Sequence, residues 1–339
     1  MVSGAQSNNN KISGITMNFT KLLLLISMVA MSGCAYMGVG SRPLSELTEK
    51  YTDESSKFLA VDDLVIHYRD EGTGPVVLLL HGETTSLHIW DAWAEKLKGD
   101  FRVIRMDLPG HGLTGPDQAT ETYDLDYMIT KVEHFMDKLN LRKVQMVGNS
   151  LGGYITWNFA ERYPQRVERM ILVNSIGYQQ ELPSTLSYNT IPVLREFNAL
   201  ILSWSKAQHR VEEAYGDDEK ITDDVIRRNQ DLGLRKGNRS SLIKVARTIE
   251  KDTDQRDLGN RIKYIQTPTL VMWGEEDEWT PVSVMKHFKV DLPNMDIISY
   301  EGVGHLPMEE LPRQSARDAL HYLQTGEPGE LPGNQEQGW

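Results

Sequence analysis

Cysteine is nearly absent from this chain: Cys34 is the only one in 339 residues. No disulfide can therefore form within it. A basic excess is missing too. Lysine and arginine number 36 against 48 aspartates and glutamates, giving a net charge of −12 and a pI of about 5.3. Such a balance argues against a nucleic-acid partner, which wants a basic face. Residues 35–339 contain no run of about 20 apolar residues, so no segment there is long enough to cross a bilayer as a helix. There is no G-x-x-x-x-G-K-[ST] phosphate loop, and no His/Cys/Asp/Glu cluster has metal-ligand spacing. The expectation is no metal and no cofactor. No internal repeat is visible.

What is present suffices for a core: 40% of residues are hydrophobic, and the length suits one α/β domain with an insertion. Val76–Leu80, Phe101–Met106, Lys143–Val147, Arg169–Asn174, Thr269–Trp273 and Asp296–Tyr300 are near-continuous apolar runs. Parallel strands covered on both faces read this way. Lys57–Ala60 and Leu64–Arg69 flank Asp62-Asp63 as a hairpin. Helical stretches alternate with these strands; Leu125, Met128, Ile129, Val132, Phe135, Met136 and Leu139 share one helix face. The fold class is α/β, a doubly wound and mostly parallel sheet, with ligand chemistry at the strand C-terminal ends.

One strand runs into Gly148-Asn149-Ser150-Leu151-Gly152, and a helix-forming stretch follows. A serine on a strand-to-helix turn is held where a substrate carbonyl reaches it. Serine is a poor nucleophile at neutral pH and needs a base. His305, on the loop Gly302-Val303-Gly304-His305 after a strand, is the candidate. Asp277, three residues after Gly274, would accept the imidazole N–H and fix its tautomer, although Glu275, Glu276 and Glu278 crowd it. His81 reads as a loop organiser; His88 and His111 read as pocket-rim or hydrogen-bonded loop residues. His67, His134, His209, His287 and His321 have no motif context, so a surface or packing role is expected.

The order Ser150, Asp277, His305 resembles that of the α/β-hydrolases, and the resemblance runs from about Lys57 to Leu323. Val76–Gly82 resembles the strand and His-Gly loop that supply one oxyanion donor. Asp107–Gly112 resembles the D-x-x-G-x-G loop. The resemblance implies that the backbone N–H groups of Glu83 and Leu151 form the oxyanion hole. The loop His81–Trp90 is similar to that of haloalkane dehalogenases. Those enzymes need a carboxylate where this chain has Ser150, so acyl transfer to serine is the chemistry that fits.

The expected activity is hydrolysis of small or medium apolar carboxylic esters. A lactonase, thioesterase or carbon–carbon bond hydrolase with the same triad is the alternative. An inactive cap-closed binding protein is the alternative of another class. The only soluble partner implied is the ester itself; oligomeric state stays open.

About ninety residues separate Asn174 from Thr269, too many for a plain connection. Leu194, Phe197, Leu200, Ile201 and Trp204 have helical spacing, and Val225-Ile226 and Leu242–Ala246 suggest two more helices. The resemblance makes this a cap over the site. The expected organisation is a signal region at 1–34, a polar tether at 35–55, hydrolase core at 56–177 and 263–323, a helical cap at 178–262 and a disordered tail at 324–339.

From Met17 the chain reads Met-Asn-Phe-Thr-Lys, an apolar run of about ten residues, then Ser32-Gly33-Cys34. This is a secretory signal, and Met17 is an alternative initiator. Small residues before a cysteine resemble the lipobox of bacterial lipoproteins. The resemblance implies diacylglycerol on Cys34 and a membrane anchor. Ala35, rather than aspartate, then implies the outer membrane, with the enzyme facing the periplasm. An ordinary cleaved signal or an uncleaved anchor is the alternative.

Overall fold

The computed structural model describes residues 40–179, 201–255 and 258–328. Cys34 with the expected signal region, positions 194–200 of the expected first cap helix, and residues 329–339 lie outside the described residues.

Eight strands form one sheet: β1 (Ser56–Val61), β2 (Leu64–Glu71), β3 (Val76–Leu80), β4 (Arg102–Met106), β5 (Val144–Asn149), β6 (Val167–Val173), β7 (Thr269–Gly274) and β8 (Met295–Tyr300). Their spatial order is β1-β2-β4-β3-β5-β6-β7-β8. The β1–β2 hairpin turns at Asp62, whose φ of 52° is one that aspartate tolerates in turns. β2 is antiparallel to β4, and every pairing beyond it is parallel.

Successive side chains of a strand face opposite sides of a sheet. In β3, Leu78 and Leu80 enter one buried cluster, with Met128, Val132 and Phe135 of the helix Leu125–Lys138. Val77 and Leu79 enter another, with Trp90, Trp93 and Leu97. Both faces are thus covered, which is why the strands read as unbroken apolar runs. Helix Leu125–Lys138 begins where it does because the Asp124 carboxylate accepts the Tyr127 N–H at 2.8 Å.

Between β6 and β7 the described chain forms helices Trp204–Glu212, Asp223–Gly233, Asn238–Gln255 and Leu258–Ile262. Ser203 and Thr222 cap the first two. This insertion rests on the loops at the strand C-terminal ends. Asn229 Nδ2 donates to the Thr84 carbonyl at 3.1 Å, and the Gly216 N–H donates to the Glu310 carboxylate at 3.0 Å.

The described part of the expected tether is not one. Residues Leu44–Tyr51 form a helix whose Leu47, fully buried, packs with Leu113 and Leu232. Asp231 pairs with Arg42 at 2.9 Å and Lys50 at 2.6 Å, and accepts the Tyr51 hydroxyl at 2.8 Å. The segment is polar overall, yet Leu47 and Tyr51 stand one turn apart on one face. Its apolar positions, Leu44, Leu47 and Tyr51, span only about two turns, too short a pattern to mark a docked helix in sequence.

Candidate active site

Ser150 is the single residue between β5 and the helix Leu151–Arg162. Its φ of 52° and ψ of −115° are unusual for a side-chain-bearing residue, worth about 1–3 kcal/mol of strain. The surroundings hold it there. Its N–H donates to the Val173 carbonyl at 3.1 Å, and its carbonyl accepts from Tyr154 at 2.9 Å and Ile176 at 3.3 Å. A Cβ on Gly152 would collide with the Leu80 carbonyl, so only glycine lets the helix start so close to β3.

The loop after β3 touches this turn. A Cβ on Gly82 would stand 3.0 Å from Ser150 Cβ and 2.7 Å from Asn149 Oδ1. Neither the Glu83 N–H nor the Leu151 N–H makes a hydrogen bond among the described residues. Leu151 is the first residue of its helix, where an N–H has no intrahelical acceptor.

His305 and Asp277 come together from the loops after β8 and β7. His305 Nδ1 lies 2.7 Å from Asp277 Oδ2, and both side chains are buried. The other Asp277 oxygen accepts the N–H groups of Trp279 at 2.7 Å and Thr280 at 3.0 Å. Oδ2 also accepts from Asn174 Nδ2 at 2.6 Å and from the Thr280 hydroxyl. Glu275, Glu276 and Glu278 are exposed. The Trp279 ring lies 5.1 Å from the imidazole, centroid to centroid. His305 Nε2 is buried and has no hydrogen-bond partner among the described residues. Ser150, also buried, makes no side-chain hydrogen bond to either partner among the described residues.

His81, His88 and His111 organise the loops around the site, and His67 stands on β2 beneath them. His81 Nδ1 bonds the Gly82 carbonyl at 2.7 Å, and Nε2 accepts the Leu108 N–H at 2.9 Å. Burial holds its pKa below the ordinary histidine value. His88 bonds the Tyr51 carbonyl at 3.0 Å, and burial pushes it down to about 4. His111 bonds the Pro109 carbonyl at 3.0 Å and is pushed down to about 3, again by burial. His67 is fully buried and bonds Asp107 Oδ2 at 2.7 Å. Asp107 also accepts the N–H groups of Leu87 at 2.8 Å and Leu113 at 2.7 Å. Burial alone would raise this carboxyl. The His67 hydrogen bond and the nearby imidazoles outweigh it and hold it well below the usual range.

The family model for the alpha/beta hydrolase fold matches residues 75–312. The chain belongs to the α/β-hydrolase family. A 2-hydroxy-6-oxo-6-phenylhexa-2,4-dienoate hydrolase of Comamonas testosteroni is 27% identical to it over 288 residues, covering 83% of this chain and 99% of that protein. A meta-cleavage product hydrolase from Pseudomonas fluorescens superposes with a TM-score of 0.70 at 23% identity, covering 80% and 98% of the two chains. A membrane phospholipase A described as a bacterial virulence factor gives 0.70 at 23% identity, covering 91% and 98%. At such identity the two structures establish shared fold alone.

In this α/β-hydrolase a cavity lies between the helices of the insertion and the core loops. Its lining includes His305, Trp279, Leu306 and Glu309 from the core and Arg210, Val211 and Arg228 from the insertion. It measures about 30 Å³, room for about one water. Sequence reasoning did not single out Asn174, Thr280, Arg210 or Arg228. Asn174 ends an apolar strand and has a φ of 43°, a position asparagine tolerates; that is its only local mark. The arginines sit on amphipathic helices whose placement no spacing rule supplies.

Proposed function

We propose that the protein is a serine hydrolase cleaving small or medium, mainly apolar carboxylic esters through an acyl-enzyme on Ser150. The observation carrying this reading is the buried, unpartnered Nε2 of His305, held through Nδ1 by Asp277, in a fold whose strained strand-to-helix residue is a serine. In this mechanism the cap is displaced to admit substrate. Ser150 Oγ attacks the carbonyl carbon while His305 Nε2 takes its proton. Asp277 fixes the tautomer that leaves Nε2 free and stabilises the imidazolium. The N–H groups of Glu83 and Leu151 receive the oxyanion, each worth roughly 3–4 kcal/mol. His305 then protonates the departing alcohol, and the same cycle with water frees the acid. Val211, Ala214 and Leu306 give the cavity its apolar walls.

We assign residues 56–177 and 263–323 to the core and 178–262 to the cap. Diacylglycerol on Cys34 would hold the enzyme at the bacterial envelope, on the outer membrane facing the periplasm. The enzymatic reading is tested by an ester panel on wild type and Ser150→Ala. Hydrolysis that depends on Ser150 supports it; equal hydrolysis by both proteins overturns it.

Carbon–carbon bond hydrolysis is the second reading, supported by the name of the Comamonas testosteroni relative. The same triad serves both, so products separate them. Turnover of a 2-hydroxy-6-oxo-dienoate without turnover of any ester would replace the first reading with the second.

A further inference from the structure

Two arginines of the cap line the cavity that contains His305, and their charges are handled differently. Arg228 Nη2 meets Glu309 Oε1 at 2.5 Å, so its charge is paired. Arg210, half-buried, has no carboxylate within ion-pair distance among the described residues. Its Nε is buried without a partner, and Nη1 reaches only the Asn229 amide oxygen at 3.5 Å, the weak limit of a hydrogen bond. A guanidinium stays charged in proteins, and a desolvated charge without a partner is destabilising. Two carboxylates influence it from a distance. Glu213, beyond the end of the helix Trp204–Glu212, is one. Glu83, on the loop beside Ser150, is the other; it is buried and its Oε1 has no partner. Burial pushes the Glu83 carboxyl up to about 8, against the pull of Arg210. Neither carboxylate comes within ion-pair distance of the guanidinium among the described residues, so the arginine has no close counter-charge. The cavity thus holds a five-donor cationic fork without an ion-pair partner beside the proposed acyl-transfer machinery; Glu309, the carboxylate in the same lining, is taken up by Arg228.

We propose that Arg210 is an anion-recognition residue, and that the preferred substrate is an ester with an apolar body and one anionic group, a carboxylate or a phosphate, seated on its guanidinium. The inference rests on the ester-hydrolase reading of the same cavity and names its substrate class. The planar guanidinium fork matches both anions in bidentate geometry.

The test measures kcat/KM for matched pairs on the full chain as wild type, Arg210→Gln and Arg210→Lys. The carboxylate pair is p-nitrophenyl hydrogen glutarate against p-nitrophenyl butyrate. The phosphate pair is dihexanoyl phosphatidate against dihexanoylglycerol. Calorimetric binding of monobutyl glutarate and of monobutyl phosphate accompanies the kinetics. In Arg210→Gln the anionic-to-neutral ratio should fall about tenfold or more in at least one pair, as expected when one partner of a desolvated charge pair is removed. Arg210→Lys should keep part of that preference, because the charge remains while the fork is lost. A fall confined to one pair identifies the anion. Unchanged ratios in both pairs overturn the proposal. If no ester is turned over by wild type, the calorimetry decides. Anion binding weakened in Arg210→Gln keeps the anion site and removes the esterase reading, whereas binding indifferent to the substitution overturns the anion site as well.

Discussion

His305 Nδ1 stands 2.7 Å from Asp277 Oδ2, and that contact orients the imidazole so that Nε2 turns to a buried space without a partner. The Asp277 carboxylate is fixed in turn by two backbone N–H groups, the Thr280 hydroxyl and the Asn174 amide. An imidazole oriented in this way is ready to take a proton from a hydroxyl brought to Nε2.

Asp277→Asn should lower kcat by up to about 10⁴-fold, because an amide favours the wrong tautomer of His305. Glu275→Gln, Glu276→Gln and Glu278→Gln should each be mild, since all three side chains are exposed. Steady-state kinetics on one ester ranks the four. A glutamate variant as damaged as Asp277→Asn would displace Asp277 from its role.

Asn174 links β6 to the acid loop. Its Nδ2 donates to Asp277, and its Oδ1 accepts the Gly274 N–H at 3.1 Å. Asn174→Gly should cost about 1.5–3 kcal/mol of stability, the worth of a hydrogen bond to a charged group. Asn174→Ala should cost more, because a φ of 43° strains alanine and not glycine. Urea melts compare them; alanine more stable than glycine would contradict the backbone argument.

Asp107→Asn should destabilise the fold by about 3–5 kcal/mol at neutral pH, because a buried, multiply bonded charge loses its partners' complement. The folded pKa of Asp107 lies below its unfolded value of about 3.9. Its contribution is therefore full above that value and is lost as pH falls toward the folded pKa. The stability gap between wild type and variant should narrow below about pH 4. Equal melting curves at pH 7 would contradict this.

Cys34→Ser should move the protein from the membrane to the soluble fraction while leaving kcat unchanged. Two or three acyl chains hold firmly, at about 0.8 kcal/mol per buried CH₂. Fractionation and the intact mass of wild type check it. A lipid-free mass, or equal membrane recovery, would show that Cys34 is not the anchor.

Much of this molecule is legible in its sequence because apolar runs, glycine turns and chain order are local properties. The sheet strands, the Ser150 turn and the helix face from Leu125 to Met136 follow from spacing. Asp277 stands out among three glutamates only by its offset from Gly274; its burial shows in the fold. The docked helix Leu44–Tyr51 escapes a sequence reading because its stability comes from Asp231, about 180 residues away along the chain. Arg210 and Arg228 look alike in sequence. Only packing pairs one with Glu309 and leaves the other facing the cavity.

The most direct test of the account is covalent labelling of Ser150. Wild type and Ser150→Ala are treated with a fluorophosphonate, and intact mass with peptide mapping locates the adduct. One adduct per wild-type chain, on Ser150, and none on the variant is the predicted result. A folded wild type that stays unlabelled, or an adduct that persists in Ser150→Ala, would contradict it.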